Sequence, residues 1–407
     1  MQIIESLGQQ YQENPKDFYI NQQIPPGSAL GILDENGKTI PLTEAKKPLP
    51  ISFTKFTQKS VTFNNRLVVS PMCTYTCQNG ILNDWHIAHY GGFALQAPGA
   101  VIVEATAVQD HGRISVFCSG LWSDEHIEPH ARVARLIKNQ GVVAGIQLNH
   151  AGRKSSTAPP WIGTQYIVSD SLGGWKDKVR GPSPIPFSEE HAVPSEMTKE
   201  QIEETIQAFA DAAARADKAG YDFIELHGAH GYLISQFLSS SSNQRTDEYG
   251  GSFENRCRFF FEIVKRIQSV WPVNKPIWAR ISCTEWVEGG WDLNDSIRLS
   301  KCLKDMGIDL IDCSSGGMNS KQVIHARPLF QTPFAEAIRK EVKIPTAAVG
   351  IITTSAQVEE LLSTQKCDFV LLARQFLREP SFTKRAAFEL GVDMRWPLQD
   401  ERAKRNV

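Results

Sequence analysis

The feature that most constrains this chain is an alternation of short, β-rich apolar runs with stretches of helical periodicity. The runs begin at Leu67, and most are nearly continuous in apolar residues. Such runs are typical of parallel strands buried on both faces, joined by right-handed helical crossovers. The eight runs cover residues 67–70, 99–108, 142–150, 221–227, 276–282, 309–315, 345–350 and 368–374. The pattern predicts an α/β chain whose eight units close into a (β/α)8 TIM barrel.

One crossover helix can be delimited from its ends. Thr198 and Gln201 have the spacing of a capping box, and Gly220 can take the left-handed conformation that ends a helix. Between them lies one apolar face. It comprises Ile202, Ile206, Phe209, Ala210 and Ala213. The next residue begins the fourth run, as an alternating barrel requires.

The remaining segments suggest a domain plan. Residues 1–48 are polar and rich in turn formers, which predicts an N-terminal extension wrapped on the domain. We assign 49–390 to the barrel domain and 391–407 to a C-terminal tail. Segment 157–193 is punctuated by proline and glycine. Either the run assignment fails there, or this segment is a long capping loop after strand three, at the active-site mouth.

Charge and cysteine content narrow the classes of function. The 407 residues include 43 Lys+Arg and 45 Asp+Glu, a balance that would not attract nucleic acid or an anionic membrane. The eight cysteines form no C-x-x-C pair, and the first residues do not have the pattern of a signal peptide. Even the apolar run 99–108 is interrupted by Glu104. We therefore expect a reduced cytoplasmic protein, outside the membrane, that acts on small molecules.

In this fold the reacting groups lie at the C-terminal ends of the strands, and those ends are unusually polar here. His227 and His230 could form half of a metal site, but no suitably spaced carboxylate or thiol pair accompanies them, so we expect no metal. As neutral donors to one carbonyl oxygen they would stabilise an enolate. Tyr232 is a plausible proton donor. The alternative is that both histidines belong to the core, with their hydrogen bonds satisfied there and no part in catalysis.

Three further strand-end features each have two interpretations. Arg280 could face the negative charge of a reduced flavin or form a salt bridge that closes the barrel. Cys73 could be a small buried hydrophobe or a thiol beside a redox cofactor. The glycines and serines after strands six to eight, with Arg374, could bind a phosphate or simply form turns. The sequence pattern alone leaves these alternatives open.

Five motifs together resemble the old yellow enzyme family, and more closely its thermophilic-like (YqjM-like) branch, which carries a cysteine beside the flavin. The resemblance runs from about Phe53 to Pro380. It implies FMN as the bound cofactor, NADPH (or NADH) as reductant, and ping-pong reduction of the activated C=C of an α,β-unsaturated carbonyl compound. The motifs are 70–75 (SPMCTY), 122–126 (WSDEH), 147–154 (QLNHAGRK), 227–232 (HGAHGY) and 243–256 (NQRTDEYGGSFENR).

The resemblance also assigns roles. It implies that His227 and His230 bind the substrate carbonyl, that Tyr232 delivers a proton, that Tyr75 helps to hold the substrate, and that Cys73 tunes the flavin. A homo-oligomer, dimer or tetramer, is implied as well, with Arg402 the candidate to reach a neighbouring subunit's pocket. The implied FMN contacts are Pro71, Met72, Cys73, Ala105, Gln147, Arg280, Ser315, Gln331, Gly350, Ala373 and Arg374.

Departures from the family pattern leave alternatives open. Gly228 and Ala373 stand where relatives often carry alanine and glycine, and the extension and capping loop exceed the compact bacterial pattern. A reductase or isomerase dedicated to one biosynthetic intermediate therefore remains the main alternative. An iron–sulfur relative would need a cysteine cluster and a further domain. A silent flavin-binding barrel would have lost the His–His–Tyr set, and an aldolase or hydrolase would need a Schiff-base lysine or paired acids.

Overall fold

The computed structural model describes residues 24–163 and 166–404, and within them eight parallel strands close into one barrel. The strands follow one another around the barrel in chain order, and the last pairs with the first. They are β1 (Leu67–Val69), β2 (Ala100–Ala107), β3 (Val143–Asn149), β4 (Phe223–Gly228), β5 (Ile277–Ser282), β6 (Leu310–Ser314), β7 (Thr346–Ala348) and β8 (Phe369–Leu372). The predicted (β/α)8 barrel is confirmed, and each strand falls on its predicted run, with β4 one residue longer at its end.

One or two helices follow each barrel strand. The helix predicted from its capping box spans Lys199–Lys218, and Thr198 and Gln201 exchange side-chain to backbone hydrogen bonds of 3.2 and 3.1 Å. Gly220 has a φ of +87°, the left-handed conformation expected after the helix. The other α-helices among the described residues are Asp84–Ala94, Ile127–Asn139, Leu233–Leu238, Phe253–Gln268, Leu293–Asp305, Thr332–Val342, Ser355–Ser363, Arg374–Arg378 and Phe382–Glu389.

A hairpin that the sequence analysis did not predict closes the N-terminal end of the barrel. Its strands, Phe56–Gln58 and Val61–Phe63, are three residues each. Phe63 is fully buried, stacks on Trp278 at 5.7 Å and meets Phe369 edge-on at 4.8 Å. These rings belong to an apolar cluster built from the first residues of the barrel strands. The interior is thus packed at this end, which leaves the C-terminal end for the functional groups.

Segments near the two ends of the described chain meet in a small separate sheet. Strand Ala29–Leu33 pairs antiparallel with both Thr39–Pro41 and Val392–Met394. The described part of the predicted extension therefore lies against the predicted C-terminal tail, because a strand of each contributes to this sheet. Residues 1–23 of that extension lie outside the described residues.

The segment predicted as a capping loop follows β3 and is anchored on the loop after β2. Its two-residue strand Arg180–Gly181 pairs with Ser195–Glu196. Trp175 donates from its indole nitrogen to the carbonyl of His111 at 2.9 Å, and Arg113 stacks on the Trp175 ring at 4.6 Å. These contacts hold the segment close to the barrel mouth. Within the described ranges, no helix has the length and apolar character needed to cross a membrane.

Candidate active site

The loop after β1 carries Cys73 and Tyr75, and a buried carboxylate holds it. Glu104 on β2 is fully buried and accepts hydrogen bonds from the Thr74 amide at 2.9 Å and the Thr74 hydroxyl at 2.8 Å. Tyr90 donates to the same carboxylate at 3.2 Å. Tyr75 has a φ of +52°, a conformation that costs a non-glycine residue of order 1 kcal/mol or more. Glu104 therefore stabilises a strained loop that presents both candidate side chains.

The Cys73 thiol lies against a second thiol. The pKa of Cys73 is raised well above its ordinary value, mainly by a hydrogen bond with Cys118 and also by burial. The side chain is therefore a neutral thiol, and both cysteines are free. Cys73, Tyr75 and Tyr232 pack on one apolar patch, which forms a wall of the mouth. The patch consists of Ala105, Ile114, Cys118 and Ala151.

The end of β4 brings together the three residues of the predicted His–His–Tyr set. The rings of His227 and His230 are 5.1 Å apart, and the Tyr232 ring is 5.0 Å from that of His227. Burial lowers the pKa of both imidazoles well below the ordinary value, and the nearby charges of Arg280 and Lys154 lower it further. Both rings are therefore neutral, and each carries a single N–H.

Ser314 at the end of β6 orients one of these rings. Its hydroxyl lies 2.7 Å from Nε2 of His230. If the hydroxyl donates, the ring proton resides on Nδ1. The backbone of His230 has a φ of +59°, and its amide donates to the Ser282 hydroxyl at 2.9 Å. Across the described residues, the buried Nδ1 of His227 has no hydrogen-bond partner, so a polar group is available for a ligand.

Lys154, which the sequence analysis left without a role, joins three loops of the mouth. Its ammonium donates to the carbonyls of His230 at 2.8 Å and Gly317 at 3.1 Å. It also lies 4.3 Å from the ring centroid of Phe187 on the capping loop and 5.2 Å from that of Tyr232. Burial lowers the pKa of Lys154 to about 7. The HAGRK motif held a usable signal, since a lysine five residues beyond a barrel strand falls at the mouth.

The groups predicted to contact the cofactor's ring system lie deeper in the barrel. Arg280 donates to the Ser70 hydroxyl at 3.0 Å, and its Nε lies 3.1 Å from Asp312. Gln147 donates from its amide to Glu225 at 2.7 Å. The salt-bridge interpretation of Arg280 is therefore correct, and it is compatible with a cofactor role, because an ion pair also fixes where the guanidinium points. Pro71 and Met72 are half-buried beside Cys73.

The amides of the two glycines after β6 are hydrogen bonded within the protein. The amide of Gly316 donates to the Thr284 carbonyl at 2.8 Å, and that of Gly317 donates to the Gln322 side chain at 2.7 Å. A Cβ on Gly317 would lie 2.7 Å from the backbone of His230, so glycine is required for the close approach of two loops. The turn interpretation is correct for these two residues.

The ends of β7 and β8 retain the features expected of a phosphate site. Gly350 has a φ of +128°, and a Cβ there would lie 3.0 Å from Gln331. Ser315 donates to Gln331 at 2.6 Å, and Gln331 donates to the Val349 carbonyl at 3.1 Å, so this side chain fixes two loops. Ala373 and the exposed Arg374 directly follow β8.

Arg402 is the one predicted site residue that the structure does not bring to this mouth. It is exposed, on the 3₁₀ turn Glu401–Lys404, and Lys404 donates to the carbonyl of Met394 in the terminal sheet. Across the described ranges, no hydrogen bond or ion pair links Arg402 to the other candidate residues of the same chain.

The donor set fits a long, anionic flavin mononucleotide. An amide and a guanidinium, from Gln147 and Arg280, match the polar edge of a flavin ring, and Arg374 with the Gly350 turn matches a terminal phosphate. The unpartnered Nδ1 of His227 fits a ligand in the space between them. No group of three or more His, Cys, Asp or Glu residues arranged to hold a metal ion occurs in the described part of the chain.

Comparison with known proteins agrees with this geometry. The sequence pattern of the NADH:flavin oxidoreductase / NADH oxidase family matches residues 52–392. The chain is 45% identical over 353 residues to an NADPH dehydrogenase of Bacillus velezensis (86% of this chain, 98% of that one). It is 46% identical over 355 residues to an NADPH dehydrogenase of a Geobacillus species (87% and 98%). The solved old yellow enzyme homologue from Zymomonas mobilis shares the fold at a TM-score of 0.69 and 22% identity, over 85% of this chain and 94% of that one.

Proposed function

This chain belongs to the NADH:flavin oxidoreductase / NADH oxidase family, as its resemblance to the old yellow enzymes indicated. From that premise we propose that it is an FMN-dependent ene-reductase, which uses NADPH (or NADH) to reduce the activated C=C of α,β-unsaturated carbonyl compounds. Bound FMN would supply the hydride chemistry between nicotinamide and alkene. The observation that carries the proposal is the set of His227, His230 and Tyr232 at one strand end.

The two imidazoles bind the substrate carbonyl in this account. Because both are neutral, each offers one N–H and neither introduces a full charge. Two donors directed at one oxygen stabilise the enolate that forms when hydride adds to the β-carbon. The contact of Ser314 with His230 and the bond of the His230 amide to Ser282 fix one of these rings before substrate binds.

Tyr232 delivers the proton. Burial raises the pKa of its phenol far above the ordinary value, so the hydroxyl keeps its proton at neutral pH. The Lys154 ammonium, 5.2 Å from the ring centroid, lowers the cost of the phenolate left behind. Tyr75 and Cys73 form the wall that confines the alkene opposite this donor.

The remaining candidate residues hold the cofactor. Gln147 and Arg280 bind the polar edge of the flavin, and Gly350, Ala373 and Arg374 bind its phosphate. Ser315 and Gln331 shape the loop between these ends, since they hydrogen bond to each other and to the backbone. The residues that line the mouth beside the ring system are Pro71, Met72, Cys73 and Ala105.

A reductase dedicated to one intermediate is favoured by one observation on the capping loop. Trp161 is 69% exposed, yet its ring meets Tyr75 edge-on at 5.8 Å. An aromatic side chain held over a substrate-binding tyrosine would recognise a planar substrate larger than a simple cyclic enone.

The test of the proposal is Tyr232→Phe, assayed in separate half-reactions. We expect reduction of the flavin by NADPH to keep its native rate, while reoxidation by 2-cyclohexenone slows by about 10²–10⁴-fold, the usual contribution of a positioned proton donor. The native enzyme should show a solvent deuterium effect on reoxidation that the variant loses. Reoxidation at the native rate in the variant would exclude Tyr232 as the donor.

A further inference from the structure

Two carboxyl groups that the proposed function does not use lie inside the barrel below the mouth. Glu225 on β4 and Asp312 on β6 are both fully buried. In the strand register, Glu225 is the partner of Gln147 and Asp312 is the partner of Arg280. A hydrogen bond between Gln147 and Glu225, an ion pair between Arg280 and Asp312, and the interaction of the two carboxyls connect the four side chains into one polar layer. Two of its members are the proposed contacts to the polar edge of the flavin.

The contacts in this layer form a chain across the barrel. Gln147 donates to Oε1 of Glu225 at 2.7 Å, and an interaction between the Glu225 and Asp312 carboxyl groups contributes to the pKa of each. Nε of Arg280 lies 3.1 Å from Oδ2 of Asp312, and its Nη1 donates to the Ser70 hydroxyl at 3.0 Å. A hydrogen bond between two carboxyl groups requires a proton on one of them.

The charges of the layer indicate which carboxyl holds the proton. Burial raises the pKa of both Glu225 and Asp312. Arg280 forms its ion pair with Asp312. With both carboxyls ionised, the layer would carry a net charge of −1 in a buried site. With Glu225 neutral, Asp312 and Arg280 balance each other.

The unpaired atoms agree with this assignment. In the described part of the chain, Oε2 of Glu225 and both Asp312 oxygens accept no hydrogen bond, although all are buried. The Arg280 charge balances Asp312, so a second carboxylate at Glu225 would be an uncompensated buried charge, which is a costly arrangement. A proton on Oε2 of Glu225 gives one of these oxygens a donor and leaves Oε1 to accept from Gln147.

We propose that Glu225 and Asp312 share one proton, held by Glu225, and that this pair positions Gln147 and Arg280 and keeps the layer beneath the cofactor neutral. The effect of this shared proton on the cofactor rests on the proposed function, because that effect requires FMN at the barrel mouth. Loss of the shared proton would add a negative charge below the flavin and make reduction less favourable. The amide of Gln147 has its orientation fixed by the carbonyl oxygen of the neutral acid.

Two matched substitutions separate the two carboxyls, with the flavin midpoint potential and the FMN content as readouts. Glu225→Gln is neutral, donates to Asp312 and accepts from Gln147, so the potential at pH 7 should remain native. Asp312→Asn leaves the Arg280 charge unbalanced, so the potential should rise. An equal rise in both variants would show that Glu225 is ionised and would overturn the proposal, as would native potentials in both.

Infrared spectroscopy tests the shared proton without the cofactor. A carbonyl stretch from a protonated, buried carboxylic acid should be present in the protein at pH 7 and absent from Glu225→Gln. This measurement is possible even if Asp312→Asn does not fold or the purified protein contains no FMN. A protein without FMN would contradict the proposed function but would leave the proton assignment intact. Retention of the band in Glu225→Gln, or its absence from the native protein, would overturn the inference.

Discussion

Removal of the Ser314 hydroxyl gives a specific prediction for the carbonyl site. Ser314→Ala deletes the 2.7 Å contact with Nε2 of His230 and leaves the ring free to exchange tautomers. One neutral hydrogen bond is worth about 0.5–1.5 kcal/mol, which corresponds to a loss of about two- to tenfold in kcat/KM for an enone. Direct loss of an N–H donor in His230→Ala should cost more, about 10²–10³-fold.

The assay is the reoxidation of the reduced enzyme by 2-cyclohexenone over a range of concentrations. Ser314→Thr, which keeps a hydroxyl, should restore most of the lost activity. FMN content and the rate of reduction by NADPH should be native in both variants, because the hydroxyl contacts neither cofactor-binding nor packing residues in this account. A Ser314→Ala enzyme with native kcat/KM, or no rescue by threonine, would refute the positioning role.

The other predictions concern the capping loop, the buried lysine, and the plug, which is the hairpin of strands Phe56–Gln58 and Val61–Phe63 at the N-terminal end of the barrel. Phe63→Ala should lower the free energy of unfolding in urea by about 3–5 kcal/mol. The control Leu172→Ala changes a side chain that is 74% exposed and should change this free energy by at most about 0.5 kcal/mol. Similar losses in the two variants would contradict the packing role of Phe63. Burial lowers the pKa of Lys154 from 10.5 in the unfolded chain to about 7 in the folded one, so between these values the unfolded chain binds more protons and stability rises with pH. From pH 7 to pH 9, the free energy of unfolding of the native protein should therefore rise relative to that of Lys154→Met, by at most about 1.4 kcal/mol per pH unit. A relative stability that does not change with pH would count against the lowered pKa. Trp161→Ala should raise KM for the planar enone 4-phenyl-3-buten-2-one by about two- to tenfold while KM for 2-cyclohexenone stays native; equal effects on both would exclude recognition by the capping loop.

The barrel was predictable because burial on both faces makes each strand a continuous apolar run. The run 221–227 is an example, since its central residues 223–226 become fully buried in β4. The plug was not predictable in the same way. Strands of three residues, such as Val61–Phe63, are too short to show a periodicity, and their burial depends on rings from distant strands.

The candidate site was predictable where chemistry and position coincided, as at His227, His230 and Tyr232. Residues of the site were missed where a charged side chain lies inside an apolar run. Glu104 served in the sequence only as an argument against a membrane span, and the structure shows it holding the Thr74 backbone. Glu225 and Asp312 were hidden in the same way, because only the closed barrel places two strands that are not adjacent close enough for their carboxyls to meet.

Binding of FMN by this barrel, and its use to reduce activated alkenes, are the core of the proposed function. The most direct test is the anaerobic visible spectrum of the purified protein, before and after NADPH and then after 2-cyclohexenone. We expect a flavin band that NADPH bleaches and the enone restores. A colourless protein that remains colourless with added FMN would contradict the cofactor assignment, and a bleached flavin that no α,β-unsaturated carbonyl compound reoxidises would contradict the ene-reductase activity.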